Sequence, residues 1–152
     1  MQIFADFCHQ SKVFLRWGDG KTMDNVDRVE ISLPVKKEYA KLLRLAVAGI
    51  ASRMNFDYDS LEDLKIGIEE AYLIALENAK QEKFNLIFEI HPSRLEILIE
   101  GLEAAESFEE EQSRKFGFSI LDSVMDEVKW TDIGGVRNLR MAKIFVNQLG
   151  GT

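Results

Sequence analysis

Residues 84–99 limit the fold more than any other stretch. Apolar side chains recur at every second position, Phe84, Leu86, Phe88 and Ile90, then Leu95, Ile97 and Ile99. A period of two means strands with one face on a core. Only Pro92-Ser93 and their neighbours separate the runs, so the pair reads as a hairpin with a tight turn. An antiparallel hairpin in the middle of the chain argues against a doubly wound parallel sheet. Around it the rhythm changes. Val29, Ile31 and Leu33 alternate with Arg28, Glu30 and Ser32 as a half-buried strand. Tyr39, Leu42, Leu43, Ala46, Val47, Ile50 and Met54 then follow helical spacing. A second helix is predicted from near Ser60, with Glu62 and Asp63 at its positive end and a core stripe running from Leu61 to Ala79. The acidic run Glu100–Gln112 carries few structure signals. A third helix is expected over 116–127, then strands over 128–131 and 136–146 with Gly134-Gly135 turning between them. The order β-α-α-β-β-α-β-β predicts an α+β fold, a mostly antiparallel sheet with helices on one face.

The chain has 152 residues, 46% of them hydrophobic, enough for one sizeable core. Its 19 Lys+Arg against 26 Asp+Glu give a formal charge of -7, which argues against direct nucleic-acid binding, where clustered cations meet phosphates. A single cysteine, Cys8, excludes an internal disulfide framework and a thiolate zinc site. The two histidines, His9 and His91, show no ligand spacing, so no metal is expected from them. No apolar run approaches the roughly 20 residues that span a bilayer, and Met1–Cys8 lacks the basic start of a signal peptide. The expectation is a cytoplasmic protein without a membrane partner.

Turn-forming residues cluster at 18–25, dividing an N-terminal extension, 1–25, from a domain over 26–152. The extension is aromatic, with Phe4, Phe7, Phe14 and Trp17. It reads as an added strand or helix patching the domain, or as an arm that binds a partner or swaps in a dimer.

Three segments carry more than periodicity. Leu43–Met54, LRLAVAGIASRM, resembles the first helix of the serine-kinase anti-sigma factors of the RsbW type, regulators of general stress and sporulation. Leu61–Ala71, LEDLKIGIEEA, resembles their second helix, and Val124–Val128, VMDEV, the exit of their third. The resemblance spans about Val29 to Val146. It implies the histidine-kinase-like (GHKL) ATPase fold, a homodimer built on the first helix and the strand at 29–33, and a protein that sequesters a sigma factor and phosphorylates a STAS-fold antagonist.

The resemblance also implies a nucleotide site, which can be followed residue by residue. In the family, a Glu-x-x-x-Asn motif supplies a general base and an amide oxygen for Mg²⁺, a hard cation that takes oxygen ligands. Here Glu70 holds the first position and Ile74 the second. At about 100° per residue, Ile74 falls roughly 120° from the centre of the core stripe, on the flank of Gly67, Glu70 and Asn78. Asn78, one turn on, is the one amide placed to act in its stead. The family's adenine-binding Asp-x-Gly aligns with Gly101 and Glu103. Where a long lid should end in glycines before the third helix stand Glu109–Gln112, Ser113, Arg114 and Lys115, with Gly117 the retained glycine. The last motif before the final strand reads Gly135-Val136-Arg137, without its threonine. Metal amide, adenine aspartate, phosphate glycines and lid are thus altered together. Each charge-assisted hydrogen bond is worth about 1.5–3 kcal/mol, so the losses predict no Mg-ATP binding.

The partner-binding arginine of the family matches Arg44, with Arg53 a weaker candidate. An arginine suits the task because its planar fork grips carboxylates. The favoured reading is a dimeric regulator binding a sigma factor or STAS protein without phosphorylating it. The alternative is an active serine/threonine kinase that uses Glu70 as base and Asn78 as magnesium ligand. An unrelated partner on the same scaffold is the third.

Overall fold

Strand β1, Asp27–Pro34, is the first element described by the computed structural model of the chain, which covers residues 26–77, 79, 81–102, 108–134 and 136–145. A short 3-10 turn, Lys37–Tyr39, leads into α1, Ala40–Ala51, and a loop into α2, Tyr58–Glu77. The hairpin β2, Lys83–Ile90, and β3, Arg94–Leu102, precedes α3, Phe108–Val124. Strands β4, Glu127–Ile133, and β5, Val136–Ile144, close the order. All neighbours are antiparallel, in the sheet order β1-β2-β3-β5-β4. The α+β architecture expected from the sequence is the one observed. The extension 1–25 lies outside the described residues.

The period-two residues do what alternation requires. Phe84, Leu86, Phe88, Leu95, Ile97, Ile99, Leu139 and Met141 form one core with Leu43 and Val47 of α1, Leu64, Ile68, Ala71, Tyr72 and Ala75 of α2, and Leu121 of α3. Tyr72 places its ring edge-on to Phe84 and donates its hydroxyl to the carbonyls of Pro34 and Lys36, tying α2 to the end of β1. Lys143 also faces the helices. Its Nζ donates to Asp63 Oδ2 of α2 at 2.9 Å and to the Val124 carbonyl at the end of α3 at 2.8 Å.

Two helix starts differ from expectation. Helix α2 begins at Tyr58, just before the predicted start near Ser60, and Asp57 caps it: its Oδ1 accepts from the Ser60 N–H at 2.8 Å, and its carbonyl receives the Leu61 N–H. The Ser60 hydrogen bonds, from its side chain first and its N–H second, also hold the Asp57 carboxyl below its ordinary range. Helix α3 begins at Phe108 rather than Phe116, so Glu109–Lys115 is helical and not a loop over a nucleotide. Acidic residues favour this start because they complement the positive end of the helix dipole.

On the other face of the sheet no described helix packs. An ion-pair chain crosses it instead. Arg28 of β1 meets Glu30 at 2.8 Å and Glu89 of β2 at 3.9 Å. Arg140 of β5 bridges Glu89 and Glu96, and Arg94 of β3 joins Glu96 at 2.7 Å to Glu127 of β4 at 3.0 Å. Glu89 and Glu96 are direct cross-strand partners. Such like charges repel unless a cation stands between them.

Candidate functional site

The flank of α2 predicted to lie off the core proves to be a second buried seam, facing α3. A Cβ added to Gly67 would lie 2.7 Å from Met125 Sδ, and one added to Gly117 would lie 2.9 Å from Ile74 Cδ1. Ile74 is only 4% exposed. The isoleucine at the motif's amide position therefore fills the space between α2 and α3, and Gly117 is the small residue that admits it. Gly117 thus has a packing reason beside the phosphate role that the resemblance implies.

Glu70 borders this seam. Its Oε2 lies 4.0 Å from where a Gly117 Cβ would stand, and the side chain is half-buried. Burial first, and the neighbouring charge of Glu69 second, hold its carboxyl above the ordinary carboxylate range. The folded state thus keeps this proton longer than the unfolded chain does. The group's contribution to stability is accordingly lost as pH rises from the ordinary range through the raised value. Glu70→Gln is expected to stabilise the fold at neutral pH by about 0.5 kcal/mol and to change little near pH 4, as urea unfolding at the two pH values would show.

Gly101 adopts φ +82°, a conformation that glycine alone takes readily, at a register irregularity between Ile99 and Leu102. Its N–H donates to Asn138 Oδ1 at 3.1 Å, and a Cβ there would lie 2.7 Å from Gln81 Nε2. An aspartate at this position would be strained by the positive φ, whereas the Gln81 side-chain end could swing aside. Asn78, Glu103 and Gly135 lie outside the described residues. Lys115 is exposed on the first half of α3.

Arg44 projects from α1 and reaches α2, where its Nη1 donates to Glu69 Oε2 at 2.6 Å. The two side chains are 40% and 34% exposed. The same two helices expose apolar side chains, Leu42 and Leu45 on α1 and Ile66 on α2, Leu45 at 72%. Arg53 is exposed in the turn after α1. Sequence reasoning did not identify Glu69 as the partner of Arg44. The two stand 25 positions apart on different helices, beyond the reach of any spacing rule.

The fold brings His91 near two carboxylates, although the sequence shows no ligand spacing. Glu89, His91 and Glu96 offer atoms within 4.8 Å of one another. Both carboxylates already bind guanidinium groups. Burial alone would raise the Glu96 carboxyl, but the Arg140 hydrogen bond and charge, with Arg94, outweigh it and leave it below its ordinary range. That charge pattern suits an ion-pair network better than a cation site.

A five-stranded antiparallel sheet with its helices on one face, and a Glu-bearing second helix packed on the third, is the histidine-kinase-like (GHKL) ATPase architecture. No family profile matches the chain. The serine-protein kinase RsbW of Oceanobacillus iheyensis is 32% identical over 136 residues, covering 75% of this chain and 85% of that protein. The Bacillus subtilis protein of the same name is 30% identical over 135 residues, covering 74% and 83%. A crystal structure of the RsbU and RsbW domains of Rv1364c from Mycobacterium tuberculosis superposes with a TM-score of 0.60 at 12% identity, over 78% of this chain and 32% of that one, a likeness of fold. The chain belongs to the RsbW-type anti-sigma-factor serine-kinase family. Among the described residues no helix is long and apolar enough to cross a membrane.

Proposed function

We propose that this protein is a non-catalytic member of its family, a cytoplasmic homodimeric regulator that holds a sigma factor or a STAS-type antagonist by mass action, without binding Mg-ATP or transferring phosphate. The observation that carries this reading is the Ile74 side chain seated against Gly117. The position that should offer an amide oxygen to a hard cation offers only carbon, packed against Gly117 of α3. Two further features agree with it. The Gly101 conformation disfavours an adenine-binding aspartate, and the residues of the expected lid continue α3. On the partner side, Arg44 offers a forked, partly exposed cation on a helix that also exposes Leu42 and Leu45, residue types that interfaces use.

One observation favours the kinase alternative. Glu70 keeps its position beside Gly117 with a raised proton affinity, as a general base requires. Thermal unfolding with and without millimolar Mg-ATP separates the two. A ligand at about 100 times its Kd stabilises by about 2.7 kcal/mol, roughly 5–11 °C at about 2–4 °C per kcal/mol for a domain of this size. The expected result is no shift. A clear shift would restore the kinase reading, with Glu70 as base and Asn78 as ligand.

A further inference from the structure

We infer that Glu69 is an internal competitor for Arg44: it matches the guanidinium charge in the free protein, so that an acidic side chain of a partner docks there by exchange. The inference rests on the reading that Arg44 belongs to the partner face, and it names the residue that sets how strongly that face attracts a carboxylate.

The geometry supports an exchange. Glu69 meets Arg44 through one nitrogen, Nη1, at 2.6 Å, across two helices. Both side chains stay partly in water, so the pair is cheap to open: exposed pairs of this kind are worth little. A second carboxylate arriving at Arg44 meets Glu69 as a like charge and must push it aside to form a two-pronged contact. The displaced Glu69 then has no guanidinium opposite it, and its neighbour in the chain is Glu70. Glu69 already adds to the raised proton affinity of that residue. Docking at Arg44 is therefore felt at Glu70, on the seam with α3.

The full chain can be tested without knowing the partner. Phenylglyoxal modifies accessible arginines, and peptide mass spectrometry reads Arg44 and Arg53 separately. Glu69→Gln is expected to speed modification of Arg44 by about two- to five-fold, the range an exposed ion pair spans, and to leave Arg53 unchanged. Equal Arg44 rates in the two proteins would overturn the inference. A second measurement follows the Glu70 carboxyl by NMR. Arg44→Met leaves Glu69 uncompensated and is expected to raise the Glu70 midpoint, and Glu69→Gln to lower it. A midpoint indifferent to both substitutions overturns the inference too. Binding assays against the host's sigma factors and STAS proteins in turn then separate the two levels. Suppose Glu69→Gln frees Arg44 chemically while Arg44→Ala leaves the binding of every partner found intact. Glu69 then still masks Arg44 in the free protein, but docking by exchange and the assignment of the partner face both fall.

Discussion

Ile74→Asn is expected to destabilise the protein by about 3–4 kcal/mol, although it restores the residue type that the family motif contains. The isoleucine is almost fully buried against Gly117. Removing that aliphatic surface from the seam costs about 1.5–3 kcal/mol, and an amide left there without partners costs about 1–3 kcal/mol more. Urea unfolding would show a lower midpoint with an unchanged slope. Mg-ATP is expected to return none of the loss, because the Gly101 bulge and the helical run 109–115 stand as before. A variant as stable as the parent that gained stability from Mg-ATP would show that the site needs only its amide. The non-catalytic reading would then fail.

Lys143→Ala is the second large effect, about 3 kcal/mol. Lys143 is 8% exposed and its ammonium serves two elements at once, Asp63 on α2 and the last carbonyl of α3. Truncation leaves a helix-end carbonyl without its donor and removes the counter-charge of Asp63, whose carboxylate stays partly in water. The aliphatic stem is buried as well. Lys143→Met keeps most of the stem and is expected to cost about half as much. Equal losses in the two variants would assign the whole effect to the charge, whereas a loss below about 1 kcal/mol in the alanine variant would contradict the role given to Lys143.

The sheet was readable because alternation is a local signal. Phe84 to Ile99 specify hairpin, register and core face together, and the observed pairing Leu86↔Ile99 and Phe88↔Ile97 follows from that pattern. The start of α3 was not readable. Glu109–Lys115 lacks apolar periodicity, and the resemblance primed a lid at that point. Ile74 illustrates a different limit. Angular arithmetic places a residue relative to one buried face, but α2 has two, and the second exists only because α3 packs on it. Gly101 read as a lost aspartate, when its positive φ gives it a backbone reason to be glycine. In the sequence, only the resemblance points to Arg44. Its tie to Glu69 became visible only when two helices were set side by side.

The ion-pair chain on the helix-free side of the sheet bears on how copies of this protein can meet. A one-sided sheet is half of a sandwich, and an apolar surface there would recruit a second sheet at about 10 Å. Here Arg28, Glu89, Arg94, Glu96, Glu127 and Arg140 occupy that plane on all five strands. Laying two such planes together would strip water from every charge in the row, with no guarantee that opposite signs meet. Back-to-back stacking is thereby discouraged, and association is steered toward the rims of the sheet and the helical side, where Arg44 stands.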